Sequence, residues 1–160
     1  MHNNNLLKRC QKGSSLIEIL VAIFILAAGL LGLVSVQMFS LKNVNNAQFQ
    51  SIATTYAYDM AERMRSNRDA VSNGAYNNIL STITDPNCSP CTSTHIAQLD
   101  GFQWNQQIQA NVNAGGLPGG KGTVTKTGNI YKITVAWKEQ QRSSAGGSVG
   151  DASFTLDIQI

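Results

Sequence analysis

Histidine, proline and acid are scarce in this chain of 160 residues. It has two histidines (His2 and His95), three prolines and nine acidic residues. With so few histidines, no nucleophile, base and acid stand in a catalytic pattern, and an enzyme is not expected. The run Gly115-Gly116-Leu117-Pro118-Gly119-Gly120 lacks the Lys-Ser/Thr ending of a phosphate-binding loop and reads as a closing turn. No proline occurs before Pro86, so none interrupts a helix over the first half. Long aliphatics thin out after residue 40, where Asn, Gln, Ser, Thr and Gly take over, so the core available there is modest. No acid precedes Glu18, while Lys8, Arg9 and Lys12 do. Setting those three cations aside leaves nine basic residues against nine acidic ones, so the net charge of +3 belongs to the N-terminal leader. A nucleic-acid binder needs a basic face on its folded domain. None is expected here, because Arg63, Arg65 and Arg68 form only a small group near a helix end, where positive charge suits the helix dipole.

What the chain does have is one long apolar run, within KRCQKGSSLIEILVAIFILAAGLLGLVSVQ (Lys8 to Gln37). From Ile19 to Leu41 there are 23 consecutive uncharged positions, enough to cross ~30 Å of hydrocarbon as a helix. The cations precede the run, which places the N-terminus on the cytoplasmic side and the remainder outside. A removed signal peptide has a shorter apolar core, about 7–15 residues, and ends at a cleavage site. This run is longer and passes straight into a second helical pattern, which predicts a retained membrane helix. Glu18 sits at its start. A carboxylate in an apolar segment costs up to ~2.5–3.5 kcal/mol at mid-bilayer and usually has a partner. No basic residue follows until Lys42. The candidates within one chain are the leader cations or a newly made N-terminus. A cut after Gly13 would free an amine on Ser14, four residues before Glu18, to neutralise Glu18 of the same chain or of a neighbour.

Beyond the run, Phe49, Ile52, Ala53, Tyr56, Ala57, Met60, Ala61 and Met64 follow i, i+3, i+4, i+7 spacing. One helix is predicted from about Ser15 to about Asn67, ~80 Å long at ~1.5 Å per residue. Its methionine and aromatic stripe reads as core, and Asp59 and Arg63 are placed to pair at i, i+4. Residues 70–100 read as irregular, with turns at Ser72-Asn73-Gly74 and Asp85-Pro86-Asn87. Asp100 is expected to cap a short helix over 101–112 with Trp104, Ile108 and Val112 on one face. Strands are predicted over Gly122–Thr127, Ile130–Lys138 and Ser153–Ile160, with Gly128-Asn129 as a hairpin turn and Gln140–Gly150 as a polar loop. These elements predict an α+β fold, a long helix packed on a small antiparallel sheet. Cys88 and Cys91 admit three chemistries: a disulfide, a redox pair, or two zinc ligands with His95. The exported setting favours the disulfide. A redox pair lacks a strand-to-helix context, and zinc lacks a fourth ligand. Cys10 is then the odd one out.

The basic leader ending in Gly13, followed by S-S-L-I-E-I-L-V-A, resembles the class III leader of type IV pilins and pseudopilins. The resemblance implies that a prepilin peptidase cuts after Gly13 and methylates the amine of Ser14. It also implies that Glu18 pairs with such an amine during filament assembly. Two positions depart from the family pattern: Ser14 stands where Phe is frequent, and Ser35 stands where major pilins often carry proline. Gly29 and Gly32 are then the backbone weak points of this segment. Further runs resemble the PilV-type minor pilins: D-M-A-E-R-M-R-S-N at Asp59–Asn67, Tyr76, L-P-G-G-K-G at Leu117–Gly122, and Y-K-I-T-V-A-W-K at Tyr131–Lys138. The implied organisation is a cleaved leader (1–13), a transmembrane and filament-core helix half (14–41), and an exported head (42–160). The head divides into an amphipathic helix half (42–68) and a loop and sheet region (69–160). The implied role is a minor pilin that helps initiate type IV pili with other minor pilins, serving twitching motility or adhesion. The expected partners are prepilin peptidase, other minor pilins, the major pilin, the inner membrane, the assembly platform and a tip adhesin. No cofactor, metal or nucleic acid is expected. Its places would be the inner membrane, with a periplasmic head, and then the pilus and its tip. The alternatives are a type II secretion pseudopilin, a DNA-binding competence pilin, and an ordinary single-span anchored protein.

Overall fold

The structure, a computed structural model, describes residues 16–141 and 148–160. Helix α1 runs unbroken through 51 residues, Leu16–Ser66. With no proline in it, nothing removes a ladder N–H. At Ser35 the hydroxyl donates to the Leu31 carbonyl at 3.0 Å, a bond within the helix surface that leaves the ladder intact. The helix stops at Asn67, whose backbone (φ −116°, ψ 59°) leaves the helical region and whose side chain caps the five-residue helix α2, Arg68–Ser72.

Contacts divide the chain into two units that meet between Leu41 and Lys42. In the first, every described residue is exposed in the single chain. Its helix is long and apolar enough to cross a membrane. In the second unit, α1 buries Ala53, Ala57, Met60, Ala61 and Met64 and half-buries Phe49, Ile52 and Tyr56, the face that the periodicity predicts. Alanine at 53, 57 and 61 keeps this face low, so bulky side chains can seat on it.

Those side chains come from a four-stranded antiparallel sheet, β1 (Asn78–Ile79), β2 (Lys121–Thr127), β3 (Ile130–Gln141) and β4 (Ser148–Ile158), in the order β1-β2-β3-β4. Its core face carries Val124, Tyr131, Ile133, Val135 and Trp137, with Ala152, Phe154, Leu156 and Ile158 partly buried. The β2–β3 turn is Gly128-Asn129, and Gly128 takes φ 62°, where a side chain would be strained. Helix α3 (Ser93–Ile108) adds Ala97, Trp104 and Ile108 to the same core. The Trp104 indole N–H donates to the Tyr56 carbonyl of α1 at 2.8 Å. Trp104 also lies against Gly122, where an added Cβ would stand 2.3 Å from the ring. The fold is therefore α+β, a long helix packed on a small antiparallel sheet.

Five expectations are corrected. Helix α3 begins at Ser93 rather than at 101, because Thr92 caps it by accepting from the His95 N–H. Asp100 is not a cap but a mid-helix residue, and Val112 leaves the core for a 3₁₀ turn (Val112–Ala114), 43 % exposed. Residues 70–100 are not irregular throughout, since they contain the end of α2, β1 and the start of α3. The Gln140–Gly150 loop is shorter than expected: β3 reaches Gln141 and β4 starts at Ser148, paired to each other. The Asp85-Pro86-Asn87 turn is present, with the Asn87 N–H donating to the Asp85 side chain at 2.9 Å.

Candidate functional site

Glu18 lies in the first turn of α1. A carboxylate there is favoured by the unpaired N–H groups and positive end of the helix dipole. Around it, Ile17, Ile19, Leu20 and Val21 present apolar surface that nothing in the single chain covers. The segment thus offers apolar surface all round and one carboxylate at its start. In hydrocarbon such a carboxylate requires a cation or a proton. Gly13 and Ser14, the expected cleavage and methylation positions, lie outside the described residues, as do Cys10 and the leader cations. Gly29 and Gly32 are helical, with no atom within 4 Å of an added Cβ, so both leave room for a neighbouring helix.

In the second unit, the expected Asp59–Arg63 pair forms at 3.0 Å. Arg63 does more than a solvated helix end would. Its side chain is only 22 % exposed, and its Nη1 reaches Asp100 of α3 at 3.3 Å. Asp100 also accepts from the hydroxyl of buried Tyr76, and Asn67 donates to that hydroxyl and to the Ser93 carbonyl. Burial first, then the hydrogen bond to Asp100 and its charge, push the Tyr76 phenol well above its ordinary range. Five side chains, from α1, the junction of α1 and α2, α3 and the segment before β1, are joined in this way. Only Asp59–Arg63 was legible beforehand, because its partners sit one helical turn apart. Arg65 pairs with Glu62, and Arg68 is exposed. The expected group of three arginines is thus largely committed to internal partners.

Tyr56 ties the helix to the glycine-rich turn, donating to the Gly115 carbonyl at 3.0 Å. Burial and the nearby Asp59 charge raise its phenol as well. The sulfurs of Cys88 and Cys91 stand at disulfide distance, with Cα atoms 5.0 Å apart. The His95 ring engages the Thr92 hydroxyl at 3.2 Å. Among the described residues no three His, Cys, Asp or Glu side chains converge on a point.

Residues 8–34 match the family model described as the prokaryotic N-terminal methylation motif. No curated protein and no solved structure matches the chain. The matched stretch contains Gly13, Ser14 and Glu18 and overlaps the apolar half of α1. With the helix-on-sheet fold, it marks a type IV pilin-like or pseudopilin-like chain. A leader of this kind implies processing by prepilin peptidase and entry into a pilus-related assembly, and the apolar helix fits a membrane-anchored precursor.

Proposed function

We propose that this chain is a minor pilin of PilV type, a non-catalytic subunit that helps initiate type IV pilus assembly with other minor pilins. The observation that carries the reading is the methylation motif at residues 8–34, joined in one chain to a small α+β head. The precursor sits in the inner membrane with its head on the periplasmic side. Cleavage after Gly13 frees the Ser14 amine, which is methylated. In the growing filament, apolar helix halves pack together, and Glu18 of one subunit is neutralised by the amine of a neighbour. Gly29 and Gly32 let those helices come close. The head selects partners: other minor pilins, the major pilin and a tip adhesin. A Cys88–Cys91 disulfide closes its exposed loop in the oxidising periplasm. Twitching motility and adhesion follow from the filament.

Deletion and complementation test this reading. Cells lacking the chain should lose surface pili, and the wild-type chain should restore them. Glu18→Gln should be processed normally yet restore pili poorly. Breaking a buried charge pair costs about 3–5 kcal/mol, so incorporation should fall at least about 100-fold. Intact pili with failed type II secretion would instead assign the chain to the secretion pseudopilins. Salt-sensitive DNA binding by the processed chain would favour the competence reading.

A further inference from the structure

The two edges of the sheet are finished differently. Along an antiparallel strand, the N–H and C=O of each residue point to one side and alternate from residue to residue. The Lys126 N–H donates to the Asn77 carbonyl at 3.1 Å, so the even residues of β2 face β1. Val124 stands opposite Ile79 in the β1–β2 pair. The Gly122 N–H, beyond the end of β1, is taken by the side chain of Asn105 at 2.8 Å. Asn105 is buried, and its amide donates in turn to the Gly101 carbonyl at 3.1 Å. Every β2 donor on that edge has an acceptor or a facing strand residue.

The β4 edge has no such cover. Carrying the alternation through the registers turns Ala152, Phe154, Leu156 and Ile158 toward β3. It turns Asp151, Ser153, Thr155 and Asp157 outward, and among the described residues their outward backbone groups have no backbone partner. Natural edge strands are blunted by shortness, charged side chains (lysine above all), proline, a bulge or a covering element, and of these β4 has only the charges of Asp151 and Asp157. β4 is 11 residues long and contains neither proline nor lysine. Its register with β3 runs without a bulge from Ile158 to Ser148.

The side chains say what fits. Asp151, Ser153, Thr155 and Asp157 are all exposed on the solvent face. Asp151 is held by Lys138 at 2.8 Å. Asp157 stands across from Lys132 with no ion pair among the described residues. A strand added beside β4 would place one residue next to Asp157, and a cation there is favourable. A second copy of β4 fits poorly. The antiparallel register that pairs all four outward residues sets Asp151 against Asp157 twice, and like charges directly opposite are destabilising.

We propose that β4 is a docking edge for an extended segment of a different protein, which adds a fifth strand along Asp151–Asp157 and sets a Lys or Arg beside Asp157. The proposal rests on this sheet alone and stands whether or not the leader is processed.

The test is a photo-cross-linking residue at position 153 of the full-length chain, in the cells that make it. The expected product joins position 153 to an extended segment of another protein, with Lys or Arg within two residues of the link. Thr155→Pro removes an N–H that serves no bond inside the chain, and Asp157→Asn removes the charge without setting a second cation across from Lys132. Each should reduce the product about five-fold or more while the chain still melts as a folded protein, Thr155→Pro losing in addition only the hydroxyl contact to Thr134 at 3.4 Å. A link to residues 149–158 of a second copy, no link at all, or a link that both variants leave intact would overturn the proposal.

Discussion

The two buried tryptophans make opposite use of their polar atom. Trp104 gives its N–H to the Tyr56 carbonyl, whereas the Trp137 N–H is buried with no partner among the described residues. A buried unpaired donor costs about 1–3 kcal/mol, and a made hydrogen bond contributes about 1 kcal/mol. Both tryptophans lose similar volume on replacement by phenylalanine. Trp137→Phe should therefore be at least about 1 kcal/mol less damaging than Trp104→Phe, read from unfolding midpoints of the full chain in detergent micelles. Equal losses would mean that the Trp137 N–H finds an acceptor. Tyr76 adds a pH dependence. Its folded phenol lies above the unfolded value of about 10, so the stability it contributes is complete below about pH 10 and is lost as pH rises beyond that. Melts across the alkaline range should show this fall. Tyr76→Phe should flatten it, leaving a smaller limb from Tyr56, and should cost about 1–2 kcal/mol at neutral pH because Asp100 loses a donor.

Among the elements, α1 and the centre of β3 were the most legible. The Ala53–Met64 stripe and the Tyr131–Trp137 alternation put large apolar residues at the helical and strand periods, and the core takes them where the pattern places them. The start of α3 was hidden for a physical reason. Its first turns bury Ala97 and Gly101, small residues that carry almost no hydrophobic signal, and the apolar pattern emerges only at Trp104. The ends of β3 and β4 were hidden because backbone ladder bonds hold them, and their polar sequence does not show this. Asp100 looked like a cap by local chemistry. Its real partners, Arg63 and Tyr76, are 37 and 24 residues away in sequence, beyond any spacing rule. The reassignment is measurable. Thr92→Ala should cost about 1 kcal/mol as the loss of a cap. Asp100→Ala should cost more, about 3 kcal/mol, since it strips a half-buried arginine and a buried phenol of their acceptor. Equal effects would restore Asp100 to the role of a cap.

At the scale of the molecule, one 51-residue helix supplies two different surfaces. Up to Leu41 it is apolar on every side, with Glu18 in its first turn, and from Lys42 it is one wall of a packed α+β unit. The assembly segment was legible because its signal is local: a glycine, a glutamate and an apolar run within some 30 residues match the methylation motif. The sheet's open edge was not legible, since it depends on which strands pair and on Asn105 closing the opposite side. The account stands on the leader being cut so that a free amine meets Glu18. Intact mass and N-terminal sequencing of the membrane-expressed chain, with and without prepilin peptidase, test this most directly. A mature chain starting at Ser14 only when the peptidase is present is the expected result. A chain still starting at Met1 or His2 beside an active peptidase would contradict it.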